Sequence, residues 1–138
     1  MVTTTTPQDT AAEQQVRSVI DAVYEAWAAN DADAFVTHYV PDATAALPGS
    51  FRDGRERIRA AMAAGFEGPL KGSTIRDEIH GVRFLGESRD AAVVIARSTV
   101  VLAGETDVPE DRWVRVTWVL ERTGAGGWLV VAYHNCAD

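Results

Sequence analysis

Apolar positions follow a helical period in the first half of the chain and a strand period in the second. Val16, Val19, Ile20, Val23, Tyr24 and Trp27 stand at i, i+3, i+4 and i+7 spacing, which lays one apolar stripe along a helix. Thr6 suits its cap, Pro7 suits its first turn, and it runs to about Asn30. Asp31 opens a short second helix carrying Phe35, Val36 and Tyr39, stopped by Pro41. A brief extended segment, Ala43 to Leu47, leads into the Pro48-Gly49 turn. Asp53 and Glu56 have the spacing of a capping box. They open a third helix with the stripe Ile58, Ala61, Met62 and Phe66, closed by Gly65, Gly68 and Pro69.

Beyond that point the period falls to two. Ser73–Leu85, Ala91–Ala103, Arg112–Arg122 and Trp128–Cys136 read as strands, separated by short Gly- and Asp-bearing connections. Such connections imply an antiparallel meander. Three helices followed by one meander predict an α+β fold, with helices packed on one curved antiparallel sheet. Residues 7–138 form one domain on this reading, and residues 1–6 a disordered tail.

The strand Ala91–Ala103 is apolar on both parities. Val93, Ile95 and Val101 share one face, while Val94, Ala96, Val100 and Leu102 share the other. A sheet with one wet face alternates, so this strand needs cover on both sides. Helices cover one. A second copy of the chain, related by a two-fold axis, is the expected cover for the outer face, and the loops are the alternative.

Alternation also assigns polar residues to faces. It groups Arg76, Glu78 and His80; Arg97 and Thr99; Arg115, Thr117 and Glu121; and His134 with Trp128 and Val130. Charged groups within apolar strands must be paired, wet or turned to a cavity. Arg97, Arg115, His80 and His134 are therefore candidate site residues. For the two arginines, pairing with Glu78, Asp77 or Glu121 on the dimer-facing side is the competing reading. Tyr24, Trp27 and Tyr39 lie on helical stripes, where they serve either the core or a ligand.

The net charge is −7 and there is no basic stripe, which argues against nucleic acid as a partner. No apolar run approaches a membrane span, and the amino-terminal residues lack a signal-peptide pattern. Cys136 is the only cysteine, so no internal disulfide forms and a cytoplasmic location is expected. His38, His80 and His134 have no metal-ligand spacing. Neither a phosphate-cradling glycine loop nor a nucleophile elbow is present. No cofactor or metal is expected, and acid–base chemistry by His, Tyr or carboxylate remains open.

Trp27 to Phe35, Tyr39 to Thr44, Gly54 to Ile58, Gly68-Pro-Leu-Lys-Gly72, Val82-Arg-Phe-Leu85 and Gly127 to Asn135 together resemble SgcJ/EcaC-type members of the superfamily that holds SnoaL-like cyclases, ketosteroid isomerases and nuclear transport factor two. The resemblance spans Val16 to Asn135. It implies a cone-shaped fold with an apolar pocket, a homodimer, and a setting in bacterial polyketide, notably enediyne, biosynthesis. It departs from the isomerases where their catalytic Asp is replaced by Leu47 and their helical Tyr aligns with Val23, beside Tyr24.

The expected function is thus a pocket protein for a polyketide-like intermediate, acting as a cofactor-independent cyclase, isomerase or dehydratase. His134 and His80 would serve as acid and base and Tyr39 as donor. Arg97 and Arg115 would stabilise an anion, with Trp27, Tyr24 and Thr117 contacting ligand. The alternative is a non-catalytic accessory protein that holds the intermediate for a partner synthase.

Overall fold

The computed structural model describes residues 7–138, so the expected cap at Thr6 and the tail over residues 1–6 lie outside the described residues. Helix α1 (Pro7–Ala28) buries Val16, Ile20 and Val23, the centre of the stripe read from sequence. Helix α2 (Ala32–Val36) is capped by the Asp31 carboxylate, which accepts from Ala34 N at 3.0 Å. Helix α3 (Arg55–Glu67) buries Ile58, Met62 and Phe66.

Six strands form one sheet: β1 (Tyr39–Leu47), β2 (Ser50–Asp53), β3 (Thr74–Leu85), β4 (Ala91–Val101), β5 (Val114–Arg122) and β6 (Trp128–Ala137). Their order is β2-β1-β6-β5-β4-β3. The α+β architecture and the meander from β3 to β6 are as expected. The sheet is mixed, however, because β1 runs parallel to β6. The sequence pattern predicts one brief extended segment here, Ala43 to Leu47, with no strand at Ser50–Asp53 and no sign that the first would join the last strand.

Tyr39 also differs from expectation. It opens β1 rather than continuing α2, which is only five residues long. Pro41 lies inside the strand, where it cannot donate to a ladder, and the β1–β6 register slips between Tyr39 and Thr44. The expected capping box is not formed either. Asp53 stays in the sheet opposite Thr44. Gly54 occupies the cap position with φ of 103°, which favours glycine, and Glu56 pairs with Arg59 instead.

Two bulges decide which residues face the helices. His80 is the extra residue in the β3–β4 ladder and Val131 the extra residue in the β5–β6 ladder. A single inserted residue exchanges the faces of everything beyond it. Trp128 and Val130 therefore share the inner face with Tyr133 and Asn135, while His134 turns outward.

The core lies between the inner face and the helices. Ala92, Val94, Ala96, Val116, Trp118, Leu120 and Val130 meet Ile20, Val23, Ile58 and Met62 there, all buried. Each large aliphatic side chain buried in this way contributes roughly 1.5–3 kcal/mol. Polar ties fix the helices on the sheet. Trp27 Nε1 donates to Ser73 Oγ at 2.8 Å, Ser73 Oγ donates to Leu70 O at 2.6 Å, and Trp128 Nε1 donates to Gln15 Oε1 at 3.2 Å. Among the described residues no helix is long and apolar enough to cross a membrane.

Candidate functional site

Between α1, α2, α3 and the concave side of the sheet lies a cavity of about 320 Å³. That is the lower end of the roughly 300–1,000 Å³ usual for small-molecule sites. Helices α1 and α2 contribute Tyr24, Trp27 and Phe35, and α3 contributes Met62. Tyr39, Leu47 and Arg52 come from β1 and β2; Ser98 and Val100 from β4; Val114 and Trp118 from β5; and Tyr133 and Asn135 from β6. Arg112, from the connection before β5, completes one side.

The wall is mostly aromatic and aliphatic, and its rings pack on one another. Trp118 meets Tyr24 edge-on at 5.9 Å and Tyr133 at 4.7 Å, while Phe35 stacks on Tyr39 at 5.4 Å. Polar groups are few and convergent. Asn135 Nδ2 donates to the Tyr133 hydroxyl at 2.9 Å. Burial pushes the Tyr24, Tyr39 and Tyr133 hydroxyls above the ordinary phenol range, so all three remain hydrogen-bond donors at neutral pH. Asp77 stands opposite Ser98 on the inner face, just behind the wall. Burial foremost, with the nearby Asp21 and Glu78 charges, raises its carboxyl to about 6.

Six buried side-chain polar atoms among the described residues have no hydrogen-bond partner: Tyr24 Oη, Arg52 Nε, Asp77 Oδ1, Arg112 Nε, Trp118 Nε1 and Asn135 Oδ1. Five of those six belong to residues that line the cavity. Buried polar groups are normally satisfied. Their concentration around one hollow sets it apart from the rest of the core.

Tyr24, Trp27 and Tyr39 were expected at a ligand site, and all three line the cavity. His80, His134, Arg97, Arg115 and Thr117 do not line it. The structure places them on the convex side, with Glu78, Arg97, Arg115 and Cys136 in one register row and Ile95, Thr117 and His134 in the next. For the arginines the competing reading is the one observed in kind, with different partners. Arg97 pairs with Asp138 at 2.5 Å and with Glu110, and lies 4.5 Å from the Trp113 ring centre. Arg115 donates to Asp138 Oδ1 at 2.9 Å and lies 3.3 Å from His80 Nδ1. His80 also lies 3.5 Å from Glu78. These partners occupy the arginines and leave the imidazoles outside, so the expected acid–base and anion roles at the pocket have no geometry to act through.

The sequence reading missed Arg52, Ser98, Tyr133 and Asn135. Tyr133 and Asn135 were legible as an inward pair once Val131 is known to bulge. Arg52 sits on a four-residue edge strand that has no periodic signal. Leu47 lines the cavity. No histidine or carboxylate stands on the wall. No group of three or more potential metal ligands occurs among the described residues.

Comparisons with known proteins agree with this geometry. A model of the SnoaL-like domain matches residues 16–136. A cystatin-like-fold domain of unknown function from Nostoc punctiforme PCC 73102 superposes with a TM-score of 0.82 at 23% identity, covering 94% of this chain and 78% of that one. An NTF-2-like protein of unknown function from Shewanella oneidensis MR-1 gives 0.72 at 20%, covering 89% and 97%. A ketosteroid isomerase-like protein from Erwinia carotovora atroseptica SCRI1043 gives 0.68 at 20%, covering 88% and 92%. At these identities the likeness is one of fold. No curated protein matches the chain.

Proposed function

The chain belongs to the SnoaL-like domain family, and from that premise we propose that it binds a largely apolar small molecule bearing oxygen functions inside the helix–sheet cavity. One observation carries this reading. The unpartnered buried polar atoms gather on a single aromatic-walled hollow. Tyr24, Tyr133 and Asn135 are its hydrogen-bonding end, and Trp27, Phe35, Leu47 and Trp118 its apolar body.

Holding the molecule, rather than turning it over, is the reading that the wall favours. Proton abstraction needs a base within hydrogen-bond reach, and the wall carries donors and arginines but neither carboxylate nor imidazole. This supports the accessory role over the cyclase, isomerase or dehydratase role. The proposed setting is enediyne-type polyketide biosynthesis in bacteria. It rests on the resemblance of the Gly68–Gly72, Val82–Leu85 and Tyr133–Asn135 segments to SgcJ/EcaC-type proteins. A linear conjugated polyenone that binds no better than a compact aromatic ketone would count against that setting. A second copy of the chain across the outer sheet face completes the proposal.

Calorimetric titration with the neutral ketone 2-acetonaphthone tests the pocket. The expected result is saturable binding to the unaltered chain, weakened about ten-fold or more by Val100→Trp, which fills the cavity from β4. Equal binding by both folded proteins would contradict it. The same samples in deuterated water should show no protein-dependent exchange at the ketone's methyl group. Exchange would restore the catalytic reading.

A further inference from the structure

Arg52 stands apart from the other cavity-lining cation. It lies on β2 opposite Ala45, a buried position of the inner face, and so points into the fold. Among the described residues its one hydrogen-bond partner is the Met62 thioether, 3.4 Å from Nη1, and its Nε is buried without a partner. No carboxylate pairs with it among the described residues. Arg112, by contrast, is held by both oxygens of Glu105 at 2.7 and 2.8 Å.

A guanidinium stays charged at neutral pH, and a half-buried charge with no counter-ion is costly to hold. Burial accordingly pulls Arg52 below the ordinary arginine range, against the nearby Tyr39 and Tyr133. Thioether sulfur is a weak acceptor. The fork thus borders an apolar hollow with its Nε unpartnered and no carboxylate beside it among the described residues.

We propose that Arg52 is the anion-recognition residue of the cavity, and that the ligand is an apolar carboxylic acid whose carboxylate it takes. This rests on the reading of the cavity as a ligand site and narrows the ligand's chemistry. A carboxylate suits a planar guanidinium as a two-point partner. One unpaired cation on an otherwise neutral aromatic wall matches a monoanion, whereas a phosphate dianion calls for further donors and charge. The orientation follows as well. Asp77 lies behind Ser98 beside Tyr24 and Tyr133, so a second anion at that end would be repelled, and a neutral carbonyl or hydroxyl fits the tyrosine donors there. The carboxylate goes to Arg52, the apolar body lies along Trp118 and Phe35, and a neutral oxygen reaches Tyr24.

The test is a matched pair of probes, 2-naphthoate and 2-acetonaphthone, equal in shape and differing in charge, titrated calorimetrically at pH 7.5. The unaltered chain should bind the carboxylate about ten-fold or more tightly than the ketone. In Arg52→Met that ratio should fall to about one. Arg52→Gln, which keeps donors and loses charge, should do the same and gives a second reading where the Met variant folds poorly. Ketone binding without carboxylate preference, or a preference that survives both substitutions, overturns the proposal and leaves the cavity reading standing. Binding of neither probe overturns both.

Discussion

At the scale of single residues, Asp77 shows what burial does to a charge. Its Oδ1 has no partner, Asp21 and Glu78 oppose its ionisation, and Arg17 and His80 favour it too weakly to prevail. The folded carboxyl titrates at about 6, against roughly 3.9 in an unfolded chain. Between those values the folded chain retains a proton that the unfolded chain has lost. Stability from this group is therefore full below about pH 4 and declines as pH rises to about 6, with the penalty constant above. Asp77→Asn removes the charge and keeps the shape. Its melting temperature at pH 7.5 should exceed that of the unaltered chain by a few degrees, and the difference should vanish near pH 4, as scanning calorimetry would record. A variant that melts lower at pH 7.5 would mean that the ionised carboxylate is stabilised by its surroundings after all.

At the scale of elements, β4 carries information on both faces. Ala92, Val94 and Ala96 are buried beneath the helices, whereas Ile95 on the convex side remains 39% exposed. The outer row that begins at Ile95 runs through Thr117, His134 and Ala46 to Phe51, which is 65% exposed. Beside it, Arg97 and Arg115 are tied to Asp138. Exposed Ile95 and Phe51 at the two ends of this mixed row, beside an ordered charged margin, leave apolar surface of the kind that protein interfaces bury, which supports the proposed second copy. Analytical ultracentrifugation should find the unaltered chain dimeric at micromolar concentration and Ile95→Glu monomeric. A monomer in both cases would leave the outer face simply solvated.

At the scale of the whole molecule, what was legible depended on locality. The stripes of α1 and α3 and the four strands of the meander each rest on periodicity within one segment, and they were read nearly to their ends. Three features rest on distant or irregular relations and were not read. The parallel pairing of β1 with β6 joins the two ends of the strand region. The extra residue Val131 exchanges the two faces of β6 and turns His134 outward. The short β2 brings Arg52 inward. The histidine-and-arginine site expected from alternation is consequently the convex face, and the hollow carries tyrosines, an asparagine and one unpaired guanidinium. Trp27, Tyr24 and Tyr39 do line the hollow, although Tyr39 does so from the start of β1 and not from a helical stripe.

On the proposed function that hollow receives a small molecule, and crystals soaked with 2-acetonaphthone measure this most directly. The expected difference density is a naphthyl ring against Trp118 and Phe35, with its carbonyl oxygen within hydrogen-bond distance of Tyr24 or Tyr133. A cavity packed shut by its own side chains, or the ketone seated only on the convex face, would contradict it.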